Sequence, residues 1–202
     1  MKKMTKTVFL AMAAAVAVSA SAQTKVFKLT SETPPQQRIA TVFSNADFED
    51  FTGVTHDVIG TVRWDPQKKT GSGSFTVNVK SIDTGIALRN EHMAGPMWMN
   101  AEKYPTITFE STNIKHKSGD TYAVTGKLTM HGVTKTITVD CQIRYLPESE
   151  ATKKAMFKGD VLHVKSSFTV RLSDFGVMIP DMAKGRVADA VKITISAFAQ
   201  TG

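Results

Sequence analysis

The sequence predicts an all-β fold of antiparallel strands, and three observations predict it. Apolar residues recur at every second position through most of the chain, which is the spacing of a strand with one buried face. The alternating stretches are rich in Val, Ile, Thr and Phe and are parted by turn residues. These turns are clearest from Asp65-Pro66 to Gly71-Ser72-Gly73, at Ser118-Gly119-Asp120 and at His131-Gly132. The opposite faces carry Thr and Lys, so each strand meets core on one side and water on the other. With 202 residues, 42% hydrophobic and 21% charged, the chain can build one domain with a sizeable core. A closed barrel and a two-sheet sandwich both satisfy these observations.

The first element is not part of that fold. Residues 1–22 begin with Lys2, Lys3 and Lys6, continue through an apolar run from Val8 to Val18 and end Ala20-Ser21-Ala22. A basic start, a short apolar stretch and a small-x-small site make a secretory signal, and the run is too short to span a bilayer. The formal charge of +7 comes from 25 basic and 18 acidic residues. Without the three leader lysines, 22 against 18 leaves +4 on residues 23–202. With so modest a charge and no aromatic-basic stripe, a nucleic-acid partner gains no support. Gln23 rather than Cys follows the site, so no lipid anchor is expected. The expected location is the periplasm, with the extracellular medium as the other destination of an exported chain. Cys141 is the single cysteine, so no intramolecular disulfide forms in that oxidising compartment. It shares its strand face with Ile137, Val139, Ile143 and Tyr145 and reads as a buried small hydrophobe.

Nine strands follow. Short ones are expected at Val26–Leu29, Arg38–Phe43 and Val58–Trp64. Phe75, Val77 and Val79 mark the next, then Ile107 and Phe109, then Tyr122, Val124, Gly126, Leu128 and Met130. Val133–Tyr145 is the cleanest. Leu162, Val164, Phe168, Val170 and Leu172 form another, and Val191, Ile193, Ile195 and Ala197 the last. Residues Gly85 to Lys103 break the alternation and predict a short helical insertion. The strands over 133–145 and 161–172 exceed ten residues, so at about 3.3 Å per residue they run roughly 33–40 Å. Strands that long make an elongated barrel or a deep sandwich, and an eight-stranded barrel can be filled by its own side chains or hold one ligand.

Three separated motifs resemble those of the YceI-like family. The first is Ser81-Ile82-Asp83-Thr84-Gly85, then Arg89-Asn90-Glu91-His92-Met93, then Glu102 to Ser111. The second is Gly126 to Lys135, the third Ser173-Asp174-Phe175-Gly176-Val177, and Val187–Ile195 resembles the closing strand. The resemblance covers roughly residues 58–199. It implies an extended, lipocalin-like antiparallel β-barrel over residues 23–202, in the bacterial periplasm. Such proteins are associated with holding long apolar molecules, notably polyisoprenoids and isoprenoid quinones, and the family is not one of known enzymes. The chain departs from the family pattern at Asn90, where Asp is usual, at Trp98-Met99, where two aromatics are usual, and at Leu172, where Arg is usual. It also lacks the early-strand histidine near Thr41–Ala46.

On that resemblance, Val77, Val79, Phe109, Leu128, Met130, Val139, Phe168, Val170 and Ile195 line a ligand tunnel; without it, close packing of the same faces would be the ordinary expectation. Met93, Met97, Trp98 and Met99, with Phe175, make a mouth or lid, since methionine adapts to varied apolar partners. The alternative for this cluster is a plug of ordinary core. Arg89, His92 and Asp174 form the polar end, as head-group contacts or as a structural brace. No catalytic residue and no metal ligand set is expected. The five histidines, His56, His92, His116, His131 and His163, are scattered, and no Gly-x-Ser-x-Gly or His-Glu-x-x-His run is present. The functional expectation is a carrier that requires no cofactor and sequesters an isoprenoid quinone, polyisoprenoid or other long-chain lipid. The alternatives are a ligand-free barrel acting as a stress-related interaction module and, weakest, an enzyme on an apolar substrate. Long exposed strands also invite a homodimer.

Overall fold

A computed structural model describes residues 23–202, and the secretion signal expected over residues 1–22 lies outside the described residues. Ten strands carry the fold: β1 Lys25–Leu29, β2 Arg38–Asn45, β3 Asp50–Thr55, β4 Val58–Asp65, β5 Thr70–Asn78, β6 Thr106–Ser118, β7 Thr121–Met130, β8 Val133–Leu146, β9 Val161–Arg171 and β10 Ala190–Gln200. Every pairing is antiparallel. From β4 to β10 each strand pairs with its neighbour in the chain.

The ten strands make an eight-stranded closed barrel, because the first two staves are each broken once. β1 and β2 run in the same direction and both pair with β10, β2 over Val191–Ala197 and β1 at Gln200. β3 and β4 form the next stave, bent at His56-Asp57, with β3 against β2 and β4 against β1. The break between β1 and β2 has a chemical cause. Pro34 and Pro35 cannot donate to a ladder, and the buried Arg38 guanidinium holds the excursion by donating to Thr33 O (2.7 Å) and Ser31 O (3.0 Å). Closure of β1 onto β10 removes most of the open edge that a sheet of this length would expose, and the outer edge of β3 is tied down where Val54 and Asp83 exchange N–H···O bonds, both at 2.8 Å.

Hydrophobic alternation marks nine of the ten strands; β3 is the exception. In Asp50–Thr55 the lumen-facing positions are Phe51, Gly53 and Thr55, and Val54 faces out, so hydrophobic alternation is absent there. The expected helical insertion is present as α1, Ala87–Ala94, followed by turns to Lys103. A second short helix, α2 at Glu150–Lys154, starts on a capping box between Ser149 and Thr152. No described helix is long and apolar enough to cross a membrane.

Up-and-down order sends the connections to two ends. The β4–β5, β6–β7 and β8–β9 connections and the β1 start lie at one end, called the base here. The β2–β3, β5–β6, β7–β8 and β9–β10 connections lie at the other, the top. Two apolar clusters follow this division. Phe27, Trp64, Tyr122 and Leu162 centre the base cluster, and Val79, Met99, Met130, Phe175 and Val177 centre the top one.

Candidate ligand-binding site

Between the two clusters the barrel is hollow. The cavity measures about 680 Å³, well within the range of small-molecule sites. Val77, Phe109, Leu128, Val139, Phe168 and Ile195, from six successive strands, contribute to its wall. It ends blindly above a floor of Phe27, Trp64, Tyr122 and Leu162, each no more than 2% exposed. Trp64 and Tyr122 meet edge to face at 5.2 Å between ring centres.

Two features keep the lumen open and apolar. A Cβ on Gly126 would stand 2.7 Å from Phe109 Cε2, and one on Gly60 would stand 2.7 Å from Phe75 Cδ1. The two rings therefore lie against the wall, in space that any other residue would occupy. Two wall hydroxyls are also turned into the sheet: Ser111 Oγ accepts from Gly73 N (2.7 Å), and Ser166 Oγ donates to Asp140 O (2.9 Å). Cys141, opposite Ser166 in the β8–β9 ladder, also faces the cavity. Burial pushes its thiol pKa up, so it is a small apolar wall group rather than a reactive thiolate.

The top is half capped and half open. On the capped side Met99, Ala101, Val79, Phe175 and Val177 pack together, while His131 stands edge-on to Tyr104 at 4.8 Å and faces Phe175 O at 3.2 Å. On the open side three segments ring a mouth: the start of α1, the β2–β3 turn and residues 182–187. The rim includes Ile86 (50% exposed), Leu88 (60%) and Met182 (83%). The β2–β3 turn is fastened on both flanks. Glu49 meets Arg89 of α1 at 2.7 Å, and Phe48 N donates to Gly185 O at 2.7 Å. Arg89 also lies over the Phe51 ring, 4.4 Å from its centre.

Of the expected tunnel residues, Val77, Phe109, Leu128, Met130, Val139, Phe168 and Ile195 line the cavity. Val79 and Val170 share their inward parity but belong to the packed top cluster. In the Met/Trp group, Met93 and Trp98 line the cavity, Met99 lines it from within the cap, and Met97 is 65% exposed and off the lumen. Phe175 is buried in the cap instead of at the mouth. The segment thus divides between lid and plug.

At the polar end, Arg89 and His92 both line the cavity, but Asp174 does not join them. It is exposed in the turn after β9, on the capped side, and the carboxylate that meets Arg89 is Glu49. Asn90 is explained by its bonds: Oδ1 accepts from Thr84 N (2.9 Å) and Thr84 Oγ1 (2.7 Å), while Nδ2 donates to Asp83 Oδ1 (2.7 Å). An aspartate at this position would repel Asp83. Leu172 lines the cavity, whereas Arg171 points out to Asp189 at 3.2 Å. Sequence reasoning missed Glu49, Phe51, Ile86, Leu88, Met182 and Arg186. Phe51 lies on β3 and Leu88 on α1, and the others lie in the connections; none belongs to a run with hydrophobic alternation, so no sequence signal marks them.

Comparison with known proteins places this architecture. The family described as YceI-like domain matches residues 17–199. A UPF0312 protein of Pseudomonas aeruginosa (strain LESB58) is 35% identical over 122 residues, which is 60% of this chain and 58% of that protein. A UPF0312 protein of Yersinia pestis (strain Pestoides F) is 43% identical over 70 residues, so the match spans about a third of each protein, 35% and 36%. Among solved structures, Burkholderia cenocepacia BcnA superposes with a TM-score of 0.70 at 27% identity, covering 83% of this chain and 99% of that one. The Campylobacter jejuni YCEI protein shares the fold, with a TM-score of 0.63 at 20% identity over 74% of this chain and 85% of its own.

Proposed function

This chain belongs to the YceI-like family, and we propose that it is a periplasmic binding protein that sequesters a long-chain apolar molecule inside its barrel. The ligand class is a polyisoprenoid, an isoprenoid quinone or a similar lipid, held without chemical change. One observation carries the reading: an apolar cavity of about 680 Å³, blind at the base, opens at the top through a single described mouth with an apolar rim. A tail entering it leaves water along its length, and each buried methylene contributes about 0.8 kcal/mol. Wall hydroxyls turned into the sheet leave few polar groups to choose among tails, so tail recognition is broad. The basic, apolar and small-residue sequence of residues 1–22 supports export to the periplasm.

The test is native purification from the exported fraction, organic extraction and mass spectrometry. The expected result is one long-chain lipid per protein. A barrel that carries none and takes up none from dispersed lipid overturns the reading in favour of a ligand-free module acting through its surface.

A further inference from the structure

We propose that Arg186 is the head-group contact of this lumen and that the preferred ligand is a long-chain amphiphile with a carboxylate or phosphate head. The inference rests on the binding reading above and adds to it the charge of the head. Glu49, Arg89, His92 and Arg186 are the titratable groups of the cavity lining at the mouth. The first two neutralise each other at 2.7 Å, and Arg89 is further held over Phe51. Neither offers a free charge to an incoming head.

The charged neighbours of Arg186 in sequence are paired with other groups. Lys184 pairs with Asp181 at 2.6 Å, and Asp189 pairs with Arg171 at 3.2 Å. On the facing turn Asp50 accepts from Asn45 Nδ2 (2.8 Å) and Ala46 N (3.2 Å), and Asp47 does not line the lumen. Arg186 has no ion pair and no side-chain hydrogen bond among the described residues. The mouth therefore carries one uncompensated arginine.

The backbone beneath it is fixed. Arg186 N donates to Ala183 O (3.0 Å), Gly185 O accepts from Phe48 N (2.7 Å), and Ala188 N donates to the buried Ser44 Oγ (2.9 Å). The guanidinium thus springs from a braced turn beside the entrance, with Met182 and Val187 of the same segment lining the cavity. A tail in the lumen leaves its head at this level, where a planar fork of donors suits two acid oxygens.

The experiment measures displacement of a fluorescent apolar probe by ligands of matched tail: hexadecanoate against hexadecanol, and geranylgeranyl phosphate against geranylgeraniol. It is run at about pH 8.5, above the ordinary histidine range. At low salt the acids are expected to bind about two- to fivefold tighter than the alcohols, as for an exposed ion pair. The preference should vanish in R186Q and near 1 M salt, where the Debye length is about 3 Å, and survive in part in R186K. The quantity read is the acid-to-alcohol affinity ratio within each variant and salt, which cancels any change in tail binding. The larger of the two acid-to-alcohol ratios, each taken at matched tail, identifies the source of the acid head. Equal binding of acid and alcohol, or an acid preference that survives in R186Q, overturns the assignment while the carrier reading stands. Failure of the probe and every ligand to bind overturns both.

Discussion

The base and the lumen of this barrel are built from the same strands with the same alternation, yet one is packed and the other hollow. Four large side chains, Phe27, Trp64, Tyr122 and Leu162, converge at the base and exclude solvent almost completely. A few residues further up, much of the wall is Val and Ile, and two of its rings, Phe75 and Phe109, are recessed over Gly60 and Gly126. Inward hydrophobicity does not by itself make a core. Whether a barrel fills depends on the summed volume at each level and on whether small residues let the large ones lie flat.

The largest effect expected from this contrast is on folding stability. Trp64→Ala removes a floor side chain that is 1% exposed and should cost about 3–5 kcal/mol. Ile195→Ala, in a wall that already borders empty space, should cost under about 2 kcal/mol, because atoms beside a void have fewer contacts to lose. Urea denaturation of the two variants measures the difference. Equal losses would mean that the lumen is packed in solution.

Acid should loosen the base next. His163, half-buried on the outer side of β9, stacks on Phe198 at 3.7 Å and lies 3.1 Å from Ser196 Oγ. Burial, assisted by Lys165 and Arg144, lowers its pKa from 6.5 to about 4. The unfolded chain takes up this proton near 6.5 and the folded chain resists it, so stability is full above that pH and is lost as pH falls toward 4. The gap corresponds to at most about 3 kcal/mol, and partial exposure brings it nearer to 1–2 kcal/mol. Asp160 extends the trend. Burial alone would raise its pKa, but bonds from Lys25, Glu148 N and Tyr145 outweigh that and lower it, so its contribution is lost below the ordinary aspartate range. Thermal melts at pH 7 and 4.5 should differ in the native protein and differ less in His163→Gln. Hydrogen exchange should rise in the paired segments 161–163 and 198–200 before it rises in the top cluster. A pH-independent melt would remove His163 from the account.

What was legible in the sequence follows from the same physics. Period two reports which side a residue faces, so the inward parity of Leu128, Val139, Phe168 and Ile195 could be read directly. It does not report level along the barrel, which is why Val79 and Val170 read as tunnel although they pack in the cap. β3 was hidden because Gly53 and Thr55 face inward without apolar side chains. The mouth was least legible of all. Glu49, Arg89 and Arg186 come from three connections distant in sequence, and only closure of the barrel brings them to one opening. Asp174, adjacent to the buried Phe175, shows the converse, since proximity in a motif does not carry a side chain to the site.

The smallest effect on stability should accompany a large effect on binding. Ile195 faces the lumen from β10, between Ser166 on β9 and Ala40 on β2. Ile195→Trp places a ring in space that is already empty, so it should not incur the 1–3 kcal/mol typical of overpacking a filled core; a change under about 1 kcal/mol is expected. The same ring stands in the path of any chain lying along the barrel, and displacing several methylenes at about 0.8 kcal/mol each should weaken binding at least about tenfold. Probe titration and urea denaturation on one protein sample separate the two quantities. A variant that melts early and binds normally would show that the ligand lies elsewhere and that level 195 is core. Lost binding with an unchanged midpoint is the outcome that a hollow barrel requires, and a packed one could not produce it.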